Sequence, residues 1–452
     1  MMTKILVWLL AAMMLTAACG AAATEVAARS IETAADAEEW ITVFLGEEPE
    51  KLEGAWVLSA EMETAVAMAG GLGGLANQLK AALGTAGEIG AAYEGKVQGY
   101  QAFYVPCAFS VMPADLVLII HEGEIIGLST ATYSGGREKE TESDVYDSIE
   151  LALPVPGLGE LPGILTVPKG DGPFPAVVLL SGSGPNDKDE TVGSLKPFRD
   201  IAESLAEQEI AVYRFDKRSY TYGEILAAEK GFTPEDEYVE DAVNAVQLAA
   251  QQDKVDPDRI FVLGHSQGGN MIPAVARALE QALVKACGFI MMAASPRPLD
   301  VLIREQYDFL YSLMPEITEE QQLERDLVFA DLDRLEDLDS MTEDDTVILI
   351  YSAYWKWLAA YDILQAAEEI TEPVLLLQGE EDYQVTLTDF NIWKDALGEK
   401  ENWQMITYPG LTHLFMPGLK TEGSAAYERE GRIDTQVLAD IGGFVNRTMA
   451  EE

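Results

Sequence analysis

Positive charge is scarce in this chain. Only 30 lysines and arginines stand against 77 aspartates and glutamates in 452 residues, a formal net charge of −47. Nucleic acid needs a basic surface to meet its phosphates, so it is excluded as a partner. Electrostatic docking on anionic lipid is excluded on the same ground. The surplus carboxylates serve solubility through self-repulsion.

Cysteine and histidine are scarcer still, at three of each. Cys19, Cys107 and Cys287 are widely spaced, as are His121, His265 and His413. No zinc-ligand spacing exists, and neither a metal nor another cofactor is expected. Cys107 and Cys287 fall in different predicted domains and are expected as buried free thiols, not a bridge. The one long apolar run, in "MMTKILVWLLAAMMLTAACG", covers about 14 residues, too few for a comfortable membrane span. A lysine precedes it and small residues lead from it to Cys19. The stretch resembles a bacterial lipoprotein signal, in which the cysteine is lipidated and becomes the first mature residue. Thr16 stands where leucine is usual, with Leu15 one place further back. A plain secretory signal cleaved near Ala23 is the alternative. Either way export is expected, to the outer face of the cytoplasmic membrane or beyond it, with Cys19 as the only membrane contact.

The remaining length exceeds one ordinary core. With 48% hydrophobic residues, the chain reads as globular. After a signal peptide over 1–24, residues 25–134 open with helical patterns ("AADAEEWITVFLG", "NQLKAALG"). They continue with alternating strands ("YQAFYVPCAF", "ADLVLII", "IIGLST"), which suggests a small α+β domain. The glycines of "AGGLGGLA" have no strand before them and read as a helix break, not a nucleotide loop. Residues 135–147, including "SGGREKETESD", read as a linker. From 148 to 452 the pattern changes to short apolar runs separated by helical periods: "PAVVLLSGSG", "IAVYRFDK", "RIFVLGHS", "ACGFIMMAAS", "PVLLLQGEED", "WQMITYPG". Near-continuous apolar strands alternating with helices mean an α/β architecture, a mostly parallel sheet with helices on both faces. About 75 mostly helical, acidic residues break the alternation and form an expected helical cap, roughly Arg297 to Ile370. Within it "DLDRLEDLD" lacks the glycine and terminal glutamate of a calcium loop. Leu332, Leu335 and Leu338 fit a helix face instead.

The chemistry centres on "RIFVLGHSQGGN". A strand, a tight glycine-flanked turn and a helix form the setting of a nucleophile elbow, with Ser266 at its tip. A serine hydroxyl needs a base. His265 is adjacent to the serine and should point elsewhere, and His121 belongs to a strand turn in the first domain. His413, after the last predicted strand in "YPGLTHLF", remains. Asp382, just past the strand of "PVLLLQGEEDYQV", is the chosen acid, with Glu381 in reserve. The backbone N–H groups of Gln267 and Ser183 are the expected oxyanion donors, with Gly184 as second choice for the latter.

These strings, with "SGSGPNDKDE", "YRFDKRSYTYGE" and "EDEYVEDAVNAVQLA", occur in the order found in α/β-hydrolases. Residues from about 145 to 450 resemble that superfamily's dienelactone hydrolase and esterase group. The first domain resembles the small α+β module found ahead of such hydrolases in exported bacterial proteins. Ser219 departs from the glycine that many relatives carry after "DKR". The resemblance implies a serine carboxylesterase that cleaves small-molecule esters through an acyl-enzyme intermediate. A peptidase or amidase of the same fold is the runner-up. A surface binding protein on a hydrolase scaffold is the reading from another class. In the cap, the aromatics of "YSAYWKWLAAYD" fit either an acyl pocket or the cap's own core. Oligomeric state is unreadable.

Overall fold

The computed structural model describes residues 28–97, 100–110, 114–132 and 143–450. The expected signal peptide, Cys19 and most of the expected linker lie outside the described residues. Two compact units divide the chain between Thr141 and Glu142.

The first unit begins with α1 (Ala34–Phe44), where Thr33 and Asp36 form a reciprocal capping box. Helices α2 (Ala60–Met68) and α3 (Gly71–Leu83) follow. Gly70 and Gly71, at φ +86 and +85, break the chain between them. An antiparallel sheet comes next, with β1 (Ala86–Ile89), β2 (Tyr93–Val97), β3 (Tyr100–Phe109), β4 (Ala114–His121) and β5 (Glu124–Thr132). One edge of β3 pairs with β2 over its first half and β1 over its second, and the other edge pairs with β4. Trp40, Ile41 and Phe44 of α1 and Leu72 and Leu75 of α3 pack with Phe103, Val105, Leu116 and Leu118 in one core. His121 sits at the exposed β4–β5 turn, edge-on to Tyr100.

The second unit is built on an eight-stranded sheet. Its strands are β6 (Tyr146–Glu150), β9 (Gly163–Pro168), β10 (Phe174–Leu180), β11 (Ala211–Phe215), β12 (Val255–His265), β13 (Gly288–Met292), β16 (Val374–Gly379) and β17 (Trp403–Tyr408). A separate ribbon pairs β7 (Leu153–Val155) with β8 (Gly159–Leu161). Spatial order is β6-β9-β11-β10-β12-β13-β16-β17. From β11 to β17 all neighbours are parallel, while β9 and β6 join antiparallel at one edge. Strand β6 starts two residues inside the segment read as linker, because Tyr146 is already buried against the sheet.

Apolar runs are continuous here because both faces are covered. Ala176, Val178 and Leu180 of β10, with Ile260 and Val262 of β12, face one core. That core also holds residues of α7 (Asp241–Ala250), α8 (Gln267–Gln281) and α13 (Leu387–Leu397). Val177, Leu179, Phe261 and Leu263 face the other, against α4 (Pro197–Glu207) and α14 (Thr435–Ala450). The central strands therefore bury both alternating sets of side chains, whereas the edge strands β6 and β17 do not. Short helices α5 (Arg218–Thr221) and α6 (Gly223–Leu226) follow β11.

Between β13 and β16 stands the cap. It holds α9 (Leu299–Ser312), α10 (Glu319–Asp333), α11 (Ser352–Ala360) and α12 (Ile363–Glu368). It also holds a two-stranded ribbon, β14 (Thr346–Val347) with β15 (Ile350–Tyr351), that the helical reading left out. Its turn is made by Ile348 and Leu349 at φ +44 and +66, where Asp331 accepts the Ile348 N–H. Leu332, Val347 and Trp355 form the cap's own small core, joined by Leu335 and Leu338.

Candidate active site

The strand β12 delivers its chain into α8 through one residue, Ser266, at φ +53 and ψ −121. A non-glycine residue held there costs about 1–3 kcal/mol and persists only where its surroundings over-determine it. The surroundings do so through close backbone approach. A Cβ on Gly264 would stand 2.3 Å from the Gly268 carbonyl oxygen, and one on Gly268 the same distance from that of Leu180. The Ser266 N–H donates to the Met292 carbonyl at 2.8 Å, tying the turn to the neighbouring strand. The residue after the serine opens the helix, so its N–H belongs to the donors that a helix start leaves without an intrahelical partner.

The loop after β10 runs beside the serine. A Cβ on Gly182 would come within 3.1 Å of the Ser266 Cβ. Glu190 organises this loop: its Oε1 accepts the Gly182 N–H at 2.6 Å. The Asn186 amide donates to the carbonyls of Gly182, Ser183 and Gly184 at 3.1, 3.1 and 3.3 Å. Ser183 lies exposed at the loop's crest.

Past the end of β16, Asp382 is buried and fully engaged. Its Oδ1 accepts the N–H groups of Gln384 and Val385 at 2.7 and 3.0 Å. Its Oδ2 accepts from the Gln378 side chain at 3.2 Å and lies 2.6 Å from His413 Nδ1. His413 itself is buried in the turn after β17. Glu381 lies apart from this contact; its carboxylate accepts the Lys420 N–H at 3.1 Å.

His265 has both ring nitrogens engaged by other groups. Its Nε2 donates to the His413 carbonyl at 3.0 Å, and its Nδ1 lies 2.9 Å from Glu190 Oε1. Both partners are acceptors, so both ring nitrogens carry protons. Burial presses the imidazolium's pKa down, but the Glu190 carboxylate, the His413 carbonyl and the nearby Asp382 charge together offset this and leave it raised.

Comparison with known proteins agrees with this architecture. Residues 192–417 match the family described as serine aminopeptidase, S33. Esterase EstD of Thermotoga maritima is 34% identical over 377 residues, covering 82% of this chain and 85% of its own. The chain belongs to this family of α/β-hydrolases. Solved structures that resemble it include Est1E from Butyrivibrio proteoclasticus, at 16% identity and a TM-score of 0.43, covering 67% of this chain and 99% of the other. Another is the 2,6-dihydroxy-pseudo-oxynicotine hydrolase, at 18% identity and 0.43, covering 67% and 68%.

In this α/β-hydrolase the expected residues Ser266, Asp382 and His413 sit at the carboxyl ends of β12, β16 and β17, and Ser183 follows β10. Sequence reading gave no role to Glu190, Lys217, Glu237 or Tyr238, all buried around the elbow with Tyr354 of the cap. Their strings stood out, but a charged residue after a strand carries no mark of burial. The aromatics of the cap take different partners. Trp355 joins the cap core, donating to the Val347 carbonyl at 3.2 Å, whereas the Tyr354 hydroxyl reaches the Gln267 side chain at 3.0 Å. Ser219 lies in α5, and its buried hydroxyl meets no partner among the described residues. Nor, among the described residues, does any group of His, Cys, Asp and Glu side chains form a metal cluster.

Proposed function

We propose that this hydrolase is a carboxylesterase working through Ser266, His413 and Asp382. The observation that carries the reading is the strained Ser266 elbow at the carboxyl end of β12 together with, beyond the carboxyl ends of β16 and β17 in the same sheet, a buried histidine whose Nδ1 is 2.6 Å from an immobilised carboxylate. That contact occupies Nδ1, so Nε2 is the nitrogen that takes the Ser266 proton as Oγ attacks the acyl carbon. The oxyanion of the tetrahedral intermediate accepts from the N–H groups of Gln267 and Ser183. Protonated Nε2 then gives its proton to the departing alkoxide. In the second half Nε2 deprotonates water, which attacks the acyl-enzyme and frees Ser266. Asp382 holds the tautomer and stabilises the imidazolium throughout.

The substrates are small-molecule esters, and export through the expected signal, with lipidation of Cys19, places the reaction outside the cytoplasm. Amide cleavage is the second reading, favoured by the family's description as an aminopeptidase. A panel of p-nitrophenyl acyl esters against aminoacyl p-nitroanilides separates the two, with esters expected to turn over faster by orders of magnitude. A fluorophosphonate probe should label wild type and not Ser266→Ala. Asp382→Ala should lose about 10⁴-fold in kcat, while Glu381→Ala should stay near wild type. Equal turnover by Ser266→Ala would sink the assignment.

A further inference from the structure

Beneath the elbow lies a closed ring of buried polar side chains. Lys217, just after β11, donates through Nζ to the Tyr238 hydroxyl, which lies 3.2 Å from Gln267 Oε1. Gln267 Nε2 donates to the Tyr354 hydroxyl at 3.0 Å, and that hydroxyl donates to Glu237 Oε2 at 2.9 Å. Glu237 Oε1, 3.3 Å from Nζ, closes the circuit. All five side chains are buried. Burial pulls the Lys217 pKa down, and the Glu237 carboxylate opposes that pull.

The ring does not end in itself. Lys217 Nζ also donates to the carbonyls of Gly182 and Gly184 at 2.8 and 3.1 Å, and Tyr238 reaches the Gly182 carbonyl at 2.9 Å. The Gly182 carbonyl shares one planar trans peptide with the Ser183 N–H, so the two point in opposite directions. Whatever holds that oxygen toward the ring aims the following N–H away from it. The same ring clamps both ends of the Gln267 amide, and Gln267 carries the other expected donor. A buried ion pair contributes little net stability compared with apolar residues of equal volume. Its value here lies in direction.

We propose that Lys217, Tyr238 and Tyr354 are positioning residues for the oxyanion hole, holding the Ser183 and Gln267 N–H groups on their common target. Tyr354 brings the cap into this set, so a seated cap and an aligned hole are one arrangement. The proposal rests on Ser266 being the nucleophile.

The test uses the full-length protein and Tyr238→Phe, which keeps the ring's bulk and deletes one hydroxyl, beside Lys217→Met and Tyr354→Phe. Rates are taken per active site, titrated with a fluorophosphonate. Misaligning one oxyanion donor should cut kcat by about 10–100-fold, less than the loss from deleting one outright. KM for the ester should change little. The Ki of a trifluoromethyl ketone, whose Ser266 adduct carries the same oxyanion, should rise by the same factor as kcat/KM falls. If Tyr238→Phe and Tyr354→Phe lower Tm while kcat per labelled site and the ketone Ki stay at wild-type values, the ring is structural and the proposal is overturned. Turnover by Ser266→Ala would instead remove the reading beneath it. A silent Ser266→Ala with an unimpaired Tyr238→Phe overturns only the present proposal.

Discussion

His265 donates from Nε2 to the main-chain carbonyl of His413 at 3.0 Å, and the two rings lie 4.7 Å apart, tilted by 50°. The residue before the serine thus holds the backbone of the residue that serves as base in our reading. Glu190 completes the chain, gripping His265 with the same oxygen that takes the Gly182 N–H. One carboxylate links the loop, the elbow and the histidine turn.

That ion pair should be visible as a pH-dependent stability. The folded pKa of His265 is raised above its usual 6.5: burial pulls it down, but Glu190, with the His413 carbonyl and Asp382, more than offsets that pull. A raised pKa contributes stability fully below the unfolded value and loses it as pH rises through the folded one. Thermal unfolding of wild type and His265→Gln, followed from about pH 5.5 to pH 9, should show the widest Tm gap at the acid end. A gap that does not change with pH would show that folding leaves the ring's pKa where it was, and one that widens toward alkaline pH would show a ring held neutral in the fold.

The elbow glycines should tolerate nothing larger. A Cβ at Gly268 meets the backbone oxygens of Leu180 and Ser181 at 2.3 and 2.6 Å, atoms that cannot swing aside. Gly268→Ala should cost about 1–3 kcal/mol or more and displace the loop that carries Ser183. Gly223→Ala, where a Cβ meets nothing within 4 Å, should stay within about 0.5 kcal/mol. Chemical denaturation of the two variants makes the comparison. A Gly268→Ala protein as stable and active as wild type would contradict the packing.

Both cysteines of the described units should be inert in the native state. Cys107 is fully buried, and burial, with Asp115 adding to it, pushes its thiol up to about 12. Cys287 is also buried and forms no disulfide among the described residues, its thiol donating to the Asp258 carbonyl at 2.8 Å. In a Cys19→Ser chain, Ellman's reagent should find no fast thiol before denaturant and two after it.

The strand ends were legible because the parallel sheet buries both faces, so its strands print as unbroken apolar runs. Ser266, Asp382 and His413 could be chosen because they lie one, three and five residues beyond the ends of such strands. Asp382 was separable from Glu381 only by reach, and the structure sets the two carboxylates on different partners. Glu190 and Lys217 were illegible for a different reason. Their partners lie far along the chain, as His265 does from Glu190 and Tyr354 from Glu237, and no periodicity marks such pairs. Among 77 acidic residues a buried glutamate looks like any other. The β14–β15 ribbon was hidden too, since two-residue strands are shorter than any pattern window.

The cap leaves the sheet after β13 and returns at β16, and these strands are direct neighbours, with Met292 paired to Leu377. The two strands are parallel, so the chain leaves at the carboxyl end of β13 and re-enters at the amino end of β16, where Val374 pairs with Phe289; the roots are offset by about 10 Å along the strands as well as by the spacing of about 5 Å between them. Closing a loop over so short a gap depends only weakly on its length, at about 0.6 kcal/mol per doubling. The insertion is an exchangeable cassette: its bulk can be traded for another while the strands that seat Ser266, Asp382 and His413 stay where they are. What a replacement has to reproduce is a set of anchors: the Tyr354 hydroxyl that meets Gln267, the Tyr361 hydroxyl that bonds the α8 backbone at Asn270 and Ala274, and the Arg297 pair with Asp389.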